Sequence, residues 1–273
     1  MTTIPLWPAG IPGSVDPSEA QNPRAQEIPH LALHLEPGGG PAKACVVVLP
    51  GGGYWVRAEH EATPIALWLN SLGISAVVCH YRVAPWRHPA PVSDAWRAIR
   101  LVRAHAQEWN IDPARVGILG FSAGGHLACH ASALGEPANP AAADPLDRFP
   151  SRPDALVACY AVSSLVSPHT HTGSRDNLLG VGASPEQLRA LSPELHVTAQ
   201  HPPTFILHTA EDQPVPVQLA LNLATALADK KVPFALHVWP KGQHGVGLGR
   251  PEHGAVADWP RVCGEWFKEL GWA

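Results

Sequence analysis

Long apolar runs, blocks of like charge and internal repeats are all missing from this 273-residue chain. No segment approaches the ~20 apolar residues that a membrane helix needs. The opening residues, Met1-Thr-Thr-Ile-Pro-Leu-Trp-Pro8, carry neither a basic flank nor an unbroken apolar stretch, so a soluble, cytoplasmic protein is expected. Charged residues make up only 15%, and the 19 Lys and Arg are scattered against 23 Asp and Glu for a formal charge of -4. That balance lacks the footprint of a nucleic-acid or anionic-membrane partner, and neither is expected. The five cysteines, Cys45, Cys79, Cys129, Cys159 and Cys263, are odd in number and widely spaced in apolar surroundings. They read as reduced core residues, not as a disulfide framework or a zinc site.

What remains is 45% hydrophobic residues, enough for one α/β domain spanning 1–273. Residues 1–29 are rich in Pro, Gly and polar residues and read as an arm laid over the surface. Period-two alternation then begins at His30 to Leu35. Short apolar runs follow at 45–49, 74–79, 116–119, 156–159, 205–208 and 235–239, the signature of strands covered on both faces. Helical spacing separates them. Trp96, Ile99, Val102, Ala106 and Trp109 mark a helix that Ser93 or Asp94 would cap and Asn110 would end, and residues 61–72, 123–134, 217–230 and 255–270 read alike. Such alternation predicts a mostly parallel sheet with helices on both faces. The stretch 163–203, with one modest helical pattern at 185–191, is the expected small, loop-rich cap.

Chemistry concentrates after the strand-like runs. Gly120-Phe-Ser-Ala-Gly124 lies between an apolar run and a helical pattern, the setting of a nucleophile elbow built around Ser122. A serine hydroxyl needs a base, a carboxylate to orient that base, and donors for an oxyanion. Pro50-Gly51-Gly52-Gly53-Tyr54-Trp55 ends the run at 45–49, and its three glycines either let backbone N–H groups approach a ligand beside that of Ala123 or form only a flexible turn. His244 stands between glycines in Gly242-Gln-His-Gly245, and Glu211 and Asp212 compete for the carboxylate role. The order Ser, Asp, His is that of one hydrolase architecture. The pair His169 and His171 lacks accompanying metal-ligand residues and reads as polar loop.

With these motifs the chain resembles the α/β-hydrolase fold, and within it the acetylxylan and feruloyl esterases and the lipase-like carboxylesterases, from about Ala44 to Trp266. The resemblance rests on PGGGYW at 50–55, HYRVAP at 80–85, HPAPVSDAWRAIRLVR at 88–103, IDPARVGILGFSAGGHLA at 111–128, SPELHV at 192–197, PPTFILHTAEDQPVPV at 202–217 and KGQHGVGL at 241–248. It implies Ser122, Asp212 and His244 as the triad and Gly52, Gly53 and Ala123 as the oxyanion hole. Many relatives carry His where this chain has Pro50, which removes a group that orders the loop while leaving its backbone donors. Asp94 and Arg82 read as a structural pair, and His126 as placed by the helix start.

Of ten tryptophans, Trp68, Trp96, Trp109 and Trp266 sit at helical spacing and read as core. Tyr54, Trp55 and Trp86 are the expected substrate contacts. The expectation is a cofactor-independent serine carboxylesterase that removes short acyl groups, acetyl first, from a small-molecule or oligosaccharide ester through an acyl-enzyme. A serine acyltransferase, a peptidase on the same fold and a non-catalytic binding module are the rivals.

Overall fold

The structure is a computed structural model that describes residues 2–273. Eight strands form one sheet: β1 (Thr2–Pro5), β2 (His30–His34), β3 (Lys43–Leu49), β4 (Ser75–His80), β5 (Ile111–Phe121), β6 (Leu156–Cys159), β7 (Thr204–Thr209) and β8 (Phe234–Trp239). Their spatial order is β1-β2-β4-β3-β5-β6-β7-β8. The first two strands run antiparallel, and every pair from β4/β3 to β7/β8 is parallel.

The helices between them are α1 (Thr63–Ser71), α2 (Ala90–Ala104), α3 (Ser122–Ala133), α4 (Thr172–Leu179), α5 (Pro185–Ala190), α6 (Gln218–Asp229) and α7 (Trp259–Glu269). Strand β3 shows why its sequence runs apolar throughout. Cys45, Val47 and Leu49 face a core completed by α2, α3 and α6, whereas Ala44, Val46 and Val48 face a second core completed by α1 and α7. Each such buried valine is worth about 1.5–3 kcal/mol of transfer free energy, so both faces favour one register. All five cysteines are free and buried in these cores, and among the described residues no helix is long and apolar enough to cross a membrane.

Several expectations change. The arm is not wholly irregular: Thr2–Pro5 forms β1, paired in register with Leu33 to His30 at the sheet edge. Four residues that end in a proline are too short a signal to register as a strand. Helix α2 starts before Ser93, with a proline in its first turn, and Asp94 lies inside it instead of capping it. Asp94 is fully buried and receives both N–H and guanidinium hydrogen bonds of Arg82 at 2.8–2.9 Å, plus the Trp7 indole N–H at 2.6 Å. A buried cation outcompetes four weak helix-end donors for that carboxylate. The helix expected over 255–270 is α-helical only from Trp259, with Pro260 in its first turn; before it, residues 251–258 form a 3-10 stretch kinked at Gly254 (φ 70°). Residues 163–203 hold two short helices, α4 and α5, where one was expected.

Candidate active site

Parallel strands end on one edge of the sheet, and their following turns gather there. β5 leads directly into Ser122, whose φ of 51° is unusual for a residue with a side chain, and α3 begins at once. The elbow demands its glycines: a Cβ on Gly120 would run into the Gly124 carbonyl, and one on Gly124 into the carbonyls of Leu49 and Pro50. Ser122 is thereby held in a conformation that most side chains avoid.

The turn after β7 supplies Asp212 and the turn after β8 supplies His244. The Ser122 hydroxyl donates to His244 Nε2 at 2.8 Å, and His244 Nδ1–H donates to Asp212 Oδ2 at 2.7 Å. Asp212 is buried, and its other oxygen accepts the Val215 N–H at 2.9 Å. This fixes the imidazole with its free lone pair toward the serine, the geometry a general base requires. Glu211 turns aside: its carboxylate accepts the Gly242 N–H at 2.8 Å and braces the loop that carries His244. Beside Asp212 lies the buried His208, 3.6 Å from Oδ2. Its Nε2–H donates to the Val215 carbonyl at 2.7 Å, and burial lowers its pKa.

The loop after β3 lies against the elbow. Gly52 (φ 125°) and Gly53 (φ 65°) adopt left-handed backbone, and a Cβ on Gly52 would strike the Val56 carbonyl. Gly53 is tied to the 163–203 segment, since Asn177 Nδ2 donates to its carbonyl at 2.8 Å. His171 caps α4, its Nδ1 accepting from the Ser174 hydroxyl at 2.8 Å and backbone N–H at 3.2 Å. The segment therefore covers the glycine loop, with His171 Cε1 3.9 Å from where a Gly53 Cβ would sit. Ala123, at the first turn of α3, presents its N–H where a helix start favours negative charge.

The expected substrate contacts separate. Trp55 is 46% exposed, with Arg24 of the arm 4.3 Å over its ring. Tyr54 is not a contact: the positive φ of 57° turns its side chain inward, where it is 1% exposed and donates to His126 Nδ1 at 2.7 Å. Trp86 is likewise displaced. Its indole N–H donates to the Ala25 carbonyl of the arm, Arg82 stacks at 4.9 Å, and it lines a ~340 Å³ cleft that none of the triad residues lines. His126 is fully buried, donating from Nε2 to the Leu191 carbonyl at 2.8 Å.

Sequence reasoning missed Asn177, Glu61 and Tyr160. Glu61 accepts the Gly51 N–H at 2.8 Å and the Tyr160 hydroxyl at 2.7 Å. Asn177 lies in a segment read as loop, and the other two sit 99 residues apart, so no local pattern joins them.

Comparison with known proteins shows the family. The model of the BD-FAE family matches residues 31–227. A solved acetyl ester-xyloside bifunctional hydrolase from Caldicellulosiruptor lactoaceticus is 44% identical, with a TM-score of 0.92 over 99% of this chain and 97% of that one. The chain belongs to the BD-FAE family. Its solved neighbours are α/β-hydrolase esterases, and the fold is theirs. This BD-FAE chain is also 36% identical to endo-1,4-beta-xylanase B of Butyrivibrio fibrisolvens, over 82% of its own length and 36% of the xylanase. To an acetylxylan esterase of Xylanibacter ruminicola it is 32% identical, over 77% of its length and 42% of that protein. It thus spans less than half the length of either of these two relatives.

Proposed function

We propose that this BD-FAE chain is a serine carboxylesterase that removes short acyl groups, acetyl first, from esters of carbohydrates or small alcohols. The observation that carries this reading is the unbroken run from the Ser122 hydroxyl through His244 to the buried Asp212, with hydrogen bonds of 2.8 and 2.7 Å. Ser122 Oγ attacks the ester carbonyl while His244 Nε2 takes its proton. The N–H groups of Gly52, Gly53 and Ala123 stabilise the oxyanion; one such donor is typically worth about 10²–10³ in rate. His244 returns the proton to the departing alcohol, and a water then repeats the sequence to free the acid and Ser122.

The carbohydrate half of the reading is supported by the names of the relatives, an acetylxylan esterase, a xylanase and an acetyl ester-xyloside hydrolase. Trp55, two residues beyond Gly53, stays 46% exposed with Arg24 over one face of its ring, which leaves aromatic surface for a sugar ring. Five buried, free thiols suit a reducing compartment; in the cytoplasm the substrates would be imported oligosaccharides instead of intact polymer.

The test is a hydrolysis panel of nitrophenyl acetate to octanoate beside acetylated xylo-oligosaccharides, run on the wild type, Ser122→Ala and His244→Ala. Turnover highest on acetyl substrates and abolished in both folded variants is expected. An inert wild type, with Ser122 unlabelled by a fluorophosphonate, would leave a binding module. Transfer to added alcohol exceeding hydrolysis would make it an acyltransferase, and preferential cleavage of peptides a peptidase.

A further inference from the structure

A buried carboxylate sits directly behind the oxyanion loop, and the reaction as written does not use it. Glu61 is 2% exposed and lies in the 3-10 turn Glu59–Glu61, where the chain returns from that loop. Burying a carboxylate is costly unless hydrogen bonds compensate it. Here each oxygen has one: Oε2 accepts the Gly51 N–H at 2.8 Å, and Oε1 accepts the Tyr160 hydroxyl at 2.7 Å, with the His60 imidazole 3.6 Å away.

Tyr160 follows β6, is 2% exposed, and holds a positive φ of 37°. Its hydroxyl oxygen accepts the Gly247 N–H at 3.1 Å, three residues beyond His244, and its ring meets the His244 ring edge-on, with centroids 5.1 Å apart. On the far side, the Gly247 carbonyl accepts the buried Trp259 indole N–H at 2.8 Å. His60, next to Glu61, donates from Nε2 to the Gly245 carbonyl at 3.0 Å. One continuous set of hydrogen bonds therefore runs from the oxyanion loop to the loop carrying the base.

We propose that Glu61 and Tyr160 are positioning residues that hold the oxyanion loop and the His244 loop at a fixed separation, a role the sequence leaves open where Pro50 replaces a loop-ordering histidine. The inference rests on the esterase reading above. Oxyanion donors and base must converge on one tetrahedral centre, and a displacement of about 1 Å can cost ~10²-fold in rate. A side chain that only filled the core would not need to hydrogen-bond both loops. Neither residue touches the substrate, and each acts through a backbone N–H.

Tyr160→Phe removes both hydroxyl hydrogen bonds and leaves the ring against His244. On nitrophenyl acetate it should lower kcat about 10- to 100-fold, leave KM nearly unchanged, and slow fluorophosphonate labelling of Ser122 in proportion. Glu61→Leu should do the same, Glu61→Gln should recover most of the loss because an acceptor for Gly51 remains, and Glu61→Leu combined with Tyr160→Phe should be no worse than the poorer single variant. In parallel, amide exchange at Gly247 should accelerate in Tyr160→Phe, a readout that does not require turnover. A kcat for Tyr160→Phe within threefold of wild type, additive losses, or losses that only follow the melting temperature would overturn the proposal. If the wild type hydrolyses no ester, the esterase reading fails by itself, and unchanged Gly247 exchange would then overturn the brace independently.

Discussion

Asp212 and its neighbour Glu211 can be told apart by a single amide substitution at each. Both oxygens of Asp212 act as acceptors, one for the Val215 N–H at 2.9 Å and one for His244 Nδ1–H at 2.7 Å. An asparagine offers one acceptor and one NH2 group. If its oxygen stays on Val215, the NH2 group faces His244 and favours the tautomer with the proton on Nε2, which can no longer accept from Ser122. If the amide flips, NH2 opposes the Val215 N–H inside a buried site, leaving a donor unsatisfied at about 1–3 kcal/mol. The first arrangement is therefore preferred, and it disables the base.

Loss of the productive tautomer in the worked serine-protease example is about 10⁴ in kcat, or about 5.5 kcal/mol of barrier. We expect Asp212→Asn to reach that order, with an unchanged melting temperature to within a few degrees. Glu211→Gln keeps an acceptor for the Gly242 N–H, so kcat should stay within about threefold of wild type. The assay is steady-state hydrolysis of nitrophenyl acetate with folding checked by near-UV circular dichroism. Equal losses in the two variants, or Asp212→Asn keeping a tenth of wild-type kcat, would refute the tautomer argument.

Acid should destabilise the fold through its buried histidines. Burial pushes His126 down to about 4 from 6.5, partly opposed by its hydrogen bond to Leu191. The unfolded chain therefore binds that proton first: stability is intact above about pH 6.5 and falls toward pH 4, by on the order of 3 kcal/mol for this residue. Urea melts at pH 7, 5.5 and 4.5 should show the decline and His126→Gln should make it shallower, since other buried histidines such as His201 still contribute, whereas a pH-independent midpoint would contradict it. Asp94→Ala strands the Arg82 guanidinium in the interior, and loss of about 3–5 kcal/mol is expected in the same melts; a loss under 1 kcal/mol would mean that water reaches the arginine. Trp55→Ala should reduce kcat/KM several-fold on acetylated xylo-oligosaccharides, for roughly 1 kcal/mol of ring stacking, and leave nitrophenyl acetate turnover unaltered. Equal loss on both substrates would assign Trp55 to the loop instead of the sugar.

The parts legible in the sequence were those with local signals. Ser122, Asp212 and His244 each follow a strand-like run, and small or turn-forming neighbours mark where the chain leaves the sheet; strand and helix order followed from periodicity for the same reason. Tyr54 and Trp86 were misread because nearness in sequence to a functional loop does not say which way a side chain turns. A positive φ sends Tyr54 into the core, and Trp86 is claimed by Ala25, 61 residues earlier. Asp94 does not cap the helix because α2 already begins at Ala90, and its carboxylate is taken by Arg82, the pairing that the motifs imply, and by Trp7, 87 residues earlier.

The glycine loop carries that lesson into the chemistry. Pro50 reads locally as the loss of an ordering group, yet the loop is not left loose. Gly51 is held by Glu61 from its own return turn, Gly53 by Asn177 from the 163–203 segment, and the Tyr81 hydroxyl donates to the Pro50 carbonyl at 2.6 Å. Three elements thus replace one side chain. Each contact is a hydrogen bond to the backbone, so none of them depends on the side chain of residue 50. Rigidity of the oxyanion loop is then a property of the packed fold, and the motif alone, with or without its histidine, does not determine it.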